Sequence, residues 1–306
     1  MGTYMAVLKS FIAVALPTLL NFASGTAHAH DGHVVPSSLL NQIAAGQLSM
    51  TKLGDHRVLQ SVGLPKHETG NFPNPGNPHT IRAQHYDFRV PIMPRLTGST
   101  LPLDRHPFGI AINGVIFDPG TAGFWNRDPN SGWRREALGE RRRLGLDDNN
   151  AHVQPNGAYH YHGVPSGLLA RMGDSDRPAL IGYAADGFPV YGPDGYRDAK
   201  NSDSGLKILA SSYRLKQGVR PGGPGSTHDG RWVQDYEYVA GSGHLDACNG
   251  RIGVTTEYPN GTYYYVVTEA FPGVPRCFKG TPHVSFTSIA ERRRHRTGPG
   301  RRRGRY

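Results

Sequence analysis

Apolar and polar residues alternate over short stretches of this chain, a pattern typical of half-buried strands. In HYDFRVPI every second residue from Tyr86 to Ile92 is apolar. FGIAINGVIFDPG has two apolar runs around Asn113-Gly114, and ALIGYAADGFPVYGPDG has two around Asp186-Gly187. Asn-Gly or Asp-Gly between apolar runs is the strongest local indication of a hairpin. The pattern predicts many short strands joined by tight turns.

Helical signals are few. Ser37 or Ser38 could begin a helix over LLNQIAAGQL, and WRREALGERRRLG contains helix formers that Gly145 would end. The 40 glycines and 24 prolines among 306 residues favour turns over long helices. We expect a mainly β fold, an antiparallel sandwich or partly open barrel with few short helices.

The N-terminus has the layout of a secretory signal peptide. Lys9 precedes the apolar run FIAVALPTLL, and small residues follow it up to GTAHAH. That run is too short to span a bilayer, and no later segment is long and apolar enough to do so. We expect residues 1–29 to be removed, leaving a periplasmic or extracellular protein without a transmembrane anchor. A membrane-tethered N-terminus is the alternative.

The N-terminus left by cleavage would be rich in histidine. A cut after Ala29 makes His30 the first residue, with His33 close behind, and a cut after Ala27 exposes His28. Because a free α-amine beside an imidazole can chelate copper, His30 and His33 are candidate ligands. The competing interpretation is a floppy terminus that is merely rich in histidine.

The C-terminus carries most of the positive charge. Residues 291–306 contain eight arginines and one glutamate, against a formal net charge of +10 for the whole chain. Such a charge block cannot pack, so residues 287–306 are expected to be a disordered tail. The tail could bind an anionic surface or polymer, or only improve solubility. Because the rest of the chain is nearly neutral, we expect no specific nucleic-acid binding.

The chain has two cysteines, Cys248 and Cys277. In an exported protein a lone pair of cysteines most often forms one disulfide. A catalytic or metal-bound thiol is the alternative, but neither cysteine has a C-x-x-C partner.

Two stretches of the chain are degenerate copies of one motif, which indicates an internal repeat. LDDNNAHVQPNGAYHYHGVP begins at Leu146, and LDACNGRIGVTTEYPNGTYYYVVTEAFPGVP begins at Leu245. Residues i and i+2 share a face of a strand, so each copy has a tyrosine face. This face carries Tyr159 and Tyr161 in the first copy and Tyr263 and Tyr265 in the second.

The opposite face carries histidines in the first copy only. His160 and His162 stand where the second copy has Tyr264 and Val266, and His152 stands roughly where it has Arg251. A feature needed for folding should recur in both copies. The tyrosines are therefore predicted to be core residues and the histidines to form a site.

The three histidines predict a metal site. Two histidines at i and i+2 project side by side, about 7 Å apart at Cα, and His152 returns to the same face across the turn at Pro155-Asn156-Gly157. Imidazole ligands suit copper or zinc better than calcium or magnesium. The rival interpretation is an imidazole cluster that binds backbone or ligand oxygens without a metal.

Other polar residues are weaker candidates for supporting roles. Asp147 and Asp148 precede His152 and could orient its ring. His67 lies in a loop long enough to reach the site. Glu136 and Glu269 are possible general bases, whereas Asp186 precedes a glycine and could be a turn residue. No motif of a serine hydrolase, P-loop, dinucleotide-binding or H-E-x-x-H protein is present.

Five segments resemble the YHYH-domain family of exported, mostly bacterial proteins. They are GLPKHETGNFP, FGIAINGVIFDPG, GLDDNNAHVQPNGAYHYHGVP, LIGYAADGFPVYGPDGY and PGVPRCFKGTPHVSF, and together they span roughly residues 60–286. The resemblance implies a shared fold and little about chemistry. It also implies a first-copy cysteine in many relatives, where this chain has Asn149. We divide the chain into the signal peptide, a partly helical segment at 30–64, a YHYH-type β-rich domain at 65–286 and the tail.

These features lead to three hypotheses. The first is an exported protein that binds copper or zinc through His152, His160 and His162. The second is a metal-dependent hydrolase or oxidase with Glu136 or Glu269 as proton shuttle. The third is a module that binds glycans or peptides through the tyrosine-rich face and the cationic tail, without a metal.

Overall fold

Strands provide most of the regular structure, as the alternating pattern predicts. The computed structural model describes residues 48–103 and 106–287. In chain order the strands are β1 (Ser49–Leu53), β2 (His56–Ser61), β3 (Tyr86–Pro91), β4 (Leu101–Pro102), β5 (Gly109–Ala111), β6 (Ile116–Phe117), β7 (Ala151–Val153), β8 (Tyr159–Tyr161), β9 (Leu180–Ala184), β10 (Pro189–Tyr191), β11 (Asp194–Tyr196), β12 (Leu206–Ile208), β13 (Tyr213–Leu215), β14 (Tyr236–Tyr238), β15 (Gly250–Gly253), β16 (Thr262–Val266) and β17 (Cys277–Phe278). Two α-helices lie wholly within the described residues, α1 (Arg141–Leu144) and α2 (Ser166–Met172), with 3₁₀ turns at Trp125–Arg127, Leu138–Glu140, Ser202–Ser204 and Val233–Asp235. The mainly β prediction is confirmed.

The main sheet has eight strands in the order β15-β16-β10-β9-β5-β6-β8-β7. Most neighbours are antiparallel, as predicted, but β6 with β8 and β10 with β16 are parallel. Parallel neighbours need a long crossover, and the chain supplies one before β8 and another before β16. Within the described residues this sheet ends at β15 and β7, so it does not close into a barrel.

The main sheet consists of two similar halves that meet at β5 and β9. Each half contains a hairpin, β5–β6 or β9–β10, then a strand parallel to the hairpin's second strand, then an outer antiparallel strand. At the junction Ile110 pairs with Tyr183, flanked by the pairs Gly109–Ala184 and Ala111–Gly182. The pairing is symmetric about Ile110 and Tyr183. The internal repeat therefore extends from the predicted motif to the two hairpins.

The hairpin turns contain the predicted glycines. Gly114 and Gly187 have φ of 85° and 91°, a left-handed backbone that glycine adopts without strain. Gly145, with φ of 62°, ends α1 as predicted.

The tyrosine face lies in the core. Tyr159, Tyr161, Tyr263 and Tyr265 are at most 4% exposed and belong to the main apolar cluster. A smaller apolar cluster, called the second cluster below, lies apart from it and consists of Tyr191, Leu209, Leu245, Tyr264 and Val266. Tyrosines thus serve the fold in both copies, as the repeat predicts.

The predicted disulfide is confirmed, since Cys248 and Cys277 are bonded. The described part of the 30–64 segment contains the strands β1 and β2, whereas the helix predicted after Ser37 lies outside the described residues. His30, His33, the signal peptide and the tail from residue 288 also lie outside them, so these predictions stay untested. Over residues 48–103 and 106–287, no helix has the length and apolar character needed to cross a membrane.

Candidate metal centre

The chain reversal after β7 brings the three predicted histidines onto one face of the main sheet. His152, at the centre of β7, pairs with His160, at the centre of β8, and His162 follows two residues later. The Gly157 N–H closes the turn by donating to the Gln154 carbonyl (2.8 Å). Side chains two residues apart share a face, so the pairing places all three imidazoles together.

The three rings meet at their Nε2 atoms. His162 Nε2 lies 3.1 Å from His152 Nε2 and 2.9 Å from His160 Nε2. Away from this point, His152 Nδ1 donates to the Leu144 carbonyl (2.7 Å) and His160 Nδ1 to the Ala158 carbonyl (3.2 Å). A neutral imidazole with its proton on Nδ1 has a lone pair on Nε2, so two of the rings direct lone pairs into the cluster.

Burial favours the neutral form of two of the three rings, His152 and His162. Burial lowers the pKa of His152, against the Leu144 carbonyl and the charge of Asp118, which raise it. Burial also lowers the pKa of His162 well below its ordinary value of 6.5, and His160, His152 and Arg276 lower it further. Neutral imidazole is the form that binds a metal.

The three-histidine cluster could hold a metal ion. Its candidate ligand atoms lie within 4.8 Å of one another, and His160 and His162 are each 1% exposed. Zinc and copper bind imidazole nitrogen at about 2.0–2.1 Å, so ligands of one ion lie roughly 3 Å apart. The Nε2 separations are close to that spacing. An ion shared by the rings would also relieve the repulsion between their lone pairs.

Two of the supporting residues predicted from sequence lie on the tyrosine face instead. The Tyr159 hydroxyl donates to Asp147 Oδ2 (2.6 Å), and the Tyr161 hydroxyl shares a hydrogen bond with His67 Nε2 (2.5 Å). His67 is therefore a core residue, because the loop that carries it packs against the tyrosines. Asp147 still acts on the site electrostatically, since its charge raises the pKa of His152.

The remaining predicted residues are distributed elsewhere. Glu136 is 1% exposed and its Oε1 accepts from Arg276 Nη2 (2.8 Å); burial raises its pKa. Asp186 Oδ2 accepts from the Tyr265 hydroxyl (2.6 Å) in the second copy. Asp148 and Glu269 are exposed. None of these carboxylates joins the three-histidine cluster.

Sequence reasoning missed Asp118, which borders the cluster. It directly follows β6 and is 6% exposed, and its Oδ2 accepts from Gln154 Nε2 (2.9 Å). The sequence did contain an indication of its role. Alignment of the two hairpin sequences places Asp118 where the second copy has Tyr191. Like the histidines, this carboxylate occurs in the first copy only.

The fold and the cluster define an internally duplicated β protein with a three-histidine site on one half of its main sheet. A sequence model described as YHYH protein matches residues 87–280, more than half of the chain. The chain belongs to the YHYH protein family, as the sequence resemblance indicates. Neither the curated proteins nor the solved structures contain a significant match to it.

Proposed function

We propose that this protein is an exported metal-binding protein that holds copper or zinc through His152, His160 and His162. The observation that carries the proposal is the convergence of three Nε2 atoms in a cluster where burial lowers the pKa of His152 and His162. Three imidazoles form a borderline donor set that suits zinc and copper and disfavours calcium and magnesium.

Export is supported by the covalent chemistry and by the family. The Cys248–Cys277 disulfide is stable in oxidising compartments and rare in the cytosol. Membership of the YHYH family and the signal-peptide layout at residues 1–29 agree with this localisation.

A metal-dependent hydrolase or oxidase is the second candidate. Catalytic zinc sites commonly have three protein ligands and an open fourth position, and the cluster supplies three. The hypothesis of a glycan- or peptide-binding surface formed by the tyrosines is not pursued, because those tyrosines are buried in the core.

Metal analysis tests the proposal. Untagged protein is reconstituted with Cu²⁺ or Zn²⁺, dialysed and analysed by elemental mass spectrometry, with His160→Ala/His162→Ala in parallel. We expect about one equivalent in the wild type and a loss of affinity of roughly 100-fold or more in the variant, since two of three ligands are absent. His162→Val, which carries the residue of the second copy, should also lose the metal and stay folded.

The matched control is His56→Ala/His283→Ala. These two rings also contact each other, with centroids 5.1 Å apart, but they are outside the cluster. Equal metal content in all four proteins contradicts the proposal. If the control variant also loses the metal, the assignment of the metal site to His160 and His162 is contradicted.

A further inference from the structure

Strand pairing places Asp118 beside His162 on the histidine face. Ile116 pairs with His160 and Phe117 with Tyr161 in the parallel ladder of β6 and β8. The ladder continues by one residue, since the Asp118 N–H donates to the Tyr161 carbonyl (3.0 Å). Asp118 therefore neighbours His162, and alternation puts its side chain on the face that carries the imidazoles.

Hydrogen bonds direct the Asp118 carboxylate across that face. Its partner Gln154 follows β7, on the far side of β8, so the bond between Asp118 Oδ2 and Gln154 Nε2 passes across β8 and connects the ends of β6 and β7. Asp118 Oδ1 accepts from the Gly120 N–H (3.1 Å). The carboxylate also interacts electrostatically with His152.

The second copy provides an independent observation. Tyr191, the counterpart of Asp118, pairs with Val266 and is fully buried in the second cluster. The second copy therefore has neither the histidines nor the carboxylate. Asp118 belongs to the residues that distinguish the copy with a site from the copy without one.

We propose that Asp118 is the fourth ligand of the ion held by His152, His160 and His162. This inference rests on the proposed function. The carboxylate is outside the group of three imidazoles, so it joins the ion by exchanging the hydrogen bond from Gln154 for a metal–oxygen bond. Three imidazoles and one carboxylate complete a tetrahedral set without a vacant position.

This donor set narrows the function. A carboxylate is a hard, anionic ligand, so it selects Zn²⁺ or Cu²⁺ over Cu⁺. A closed set of four protein ligands is typical of structural zinc sites, whereas catalytic sites keep a position for water or substrate. The site accordingly retains a divalent ion and does not process a substrate at it.

The test compares Asp118→Asn, Asp118→Ala and Gln154→Ala with the wild type. Each is loaded with Zn²⁺ for competition titration and with Co²⁺ for visible absorption. Asp118→Asn keeps the shape of the side chain and an oxygen that can accept from the Gly120 N–H. This variant should therefore stay folded and show the effect of losing the carboxylate alone. We expect both Asp118 variants to bind Zn²⁺ at least about 10-fold more weakly and to show an altered Co²⁺ spectrum that responds to added azide. The wild type and Gln154→Ala should show no azide response.

The outcomes separate the two proposals. A wild type that retains neither Zn²⁺ nor Cu²⁺ in the metal analysis, and binds no Co²⁺, overturns the proposed function itself. A wild type that binds Zn²⁺ and Co²⁺, with folded Asp118 variants of equal affinity and identical Co²⁺ spectra, overturns only the role of Asp118. An azide response in the wild type shows an open position and overturns the closed site.

Discussion

The two copies share a scaffold on the tyrosine face. In the first, the Tyr159 hydroxyl donates to Asp147 (2.6 Å), and in the second the Tyr263 hydroxyl lies 3.1 Å from both Asp246 oxygens. The aspartates also receive equivalent backbone hydrogen bonds from the start of β7 and of β15. What recurs in both copies is the set of contacts that holds the turn against the sheet.

On the opposite face the copies differ. The first copy pairs His152 with His160, and at the matching positions the second copy pairs Arg251 with Tyr264. The Arg251 Nε donates to the Tyr264 hydroxyl (2.5 Å). Tyr264 and Val266 belong to the second cluster, in which they pack with Tyr191, Leu209 and Leu245. One copy uses this face for packing and the other for polar groups that point at one another. The comparison teaches that a duplicated sheet can leave one face free to acquire a site.

The copies also differ in how the loop before the outer strand is tied down. Cys248 of the second copy is bonded to Cys277, whereas Asn149, its counterpart, donates to the Glu68 carbonyl (2.9 Å) and accepts from the Gly167 N–H (2.7 Å).

The first prediction concerns this difference between a disulfide and a pair of hydrogen bonds. Cys248→Ala/Cys277→Ala should lower the free energy of unfolding by roughly 3–4 kcal/mol, measured by denaturant titration, because the bond closes a loop of about 30 residues.

Asn149→Ala is the matched variant in the first copy, where hydrogen bonds of Asn149 take the place of the disulfide. It should cost about 1–3 kcal/mol, because two part-buried backbone groups lose the hydrogen bonds that the buried Asn149 side chain makes to them. A larger loss in Asn149→Ala than in the disulfide variant would contradict the comparison. Metal affinity should stay unchanged in the disulfide variant.

The sequence was sufficient to predict the local features of the fold. The turns at Gly114 and Gly187, the buried tyrosine face and the pairing of Cys248 with Cys277 follow from residue pattern and composition. The three histidines were predicted as a group because their register depends on one short turn, closed by Gly157. These features are all local or concern a single pair of residues.

The features that sequence reasoning missed depend on long-range pairing. Asp118 reaches His162 only because β6 pairs in parallel with β8, and a parallel neighbour is set by a crossover that sequence pattern does not specify. His67 does not join the three-histidine cluster, because the loop that carries it packs on Tyr161. Polar residues in long loops have many possible neighbours, so their assignment required the tertiary structure.

The second prediction concerns the hairpin turns, where Asp186 of the second copy matches Asn113 of the first. Asn113 Nδ2 donates to the Tyr161 hydroxyl (2.8 Å), whereas Asp186 accepts from Tyr265. Burial raises the pKa of Asp186 to about 6 from 3.8, although Tyr265 and the backbone lower it. The folded state therefore binds the proton more tightly, and stability is lost as pH rises from about 4 to about 6, by roughly 3 kcal/mol.

Asp186→Asn should remove this part of the pH dependence. The measurement is the free energy of unfolding of both proteins between pH 4 and 7, compared as a difference so that other titrating groups cancel. A constant difference across this range would show that Asp186 is not the source. Asn113→Ala, which has no titrating group, should leave the pH slope of the wild type intact.

The smallest predicted effect tests whether the tyrosine face serves the fold equally in both copies. Tyr159→Phe should cost about 1–2 kcal/mol and Tyr263→Phe about 0.5–1 kcal/mol, because each loses one hydrogen bond to an aspartate. The first loss is larger, since Asp147 is buried, whereas the Asp246 side chain is 33% exposed and water can replace the hydroxyl. Denaturant unfolding measures both, and Zn²⁺ affinity should stay at the wild-type value in each. A drop in Zn²⁺ affinity confined to Tyr159→Phe would show that the two faces of β8 are coupled, and would break the separation between scaffold and site.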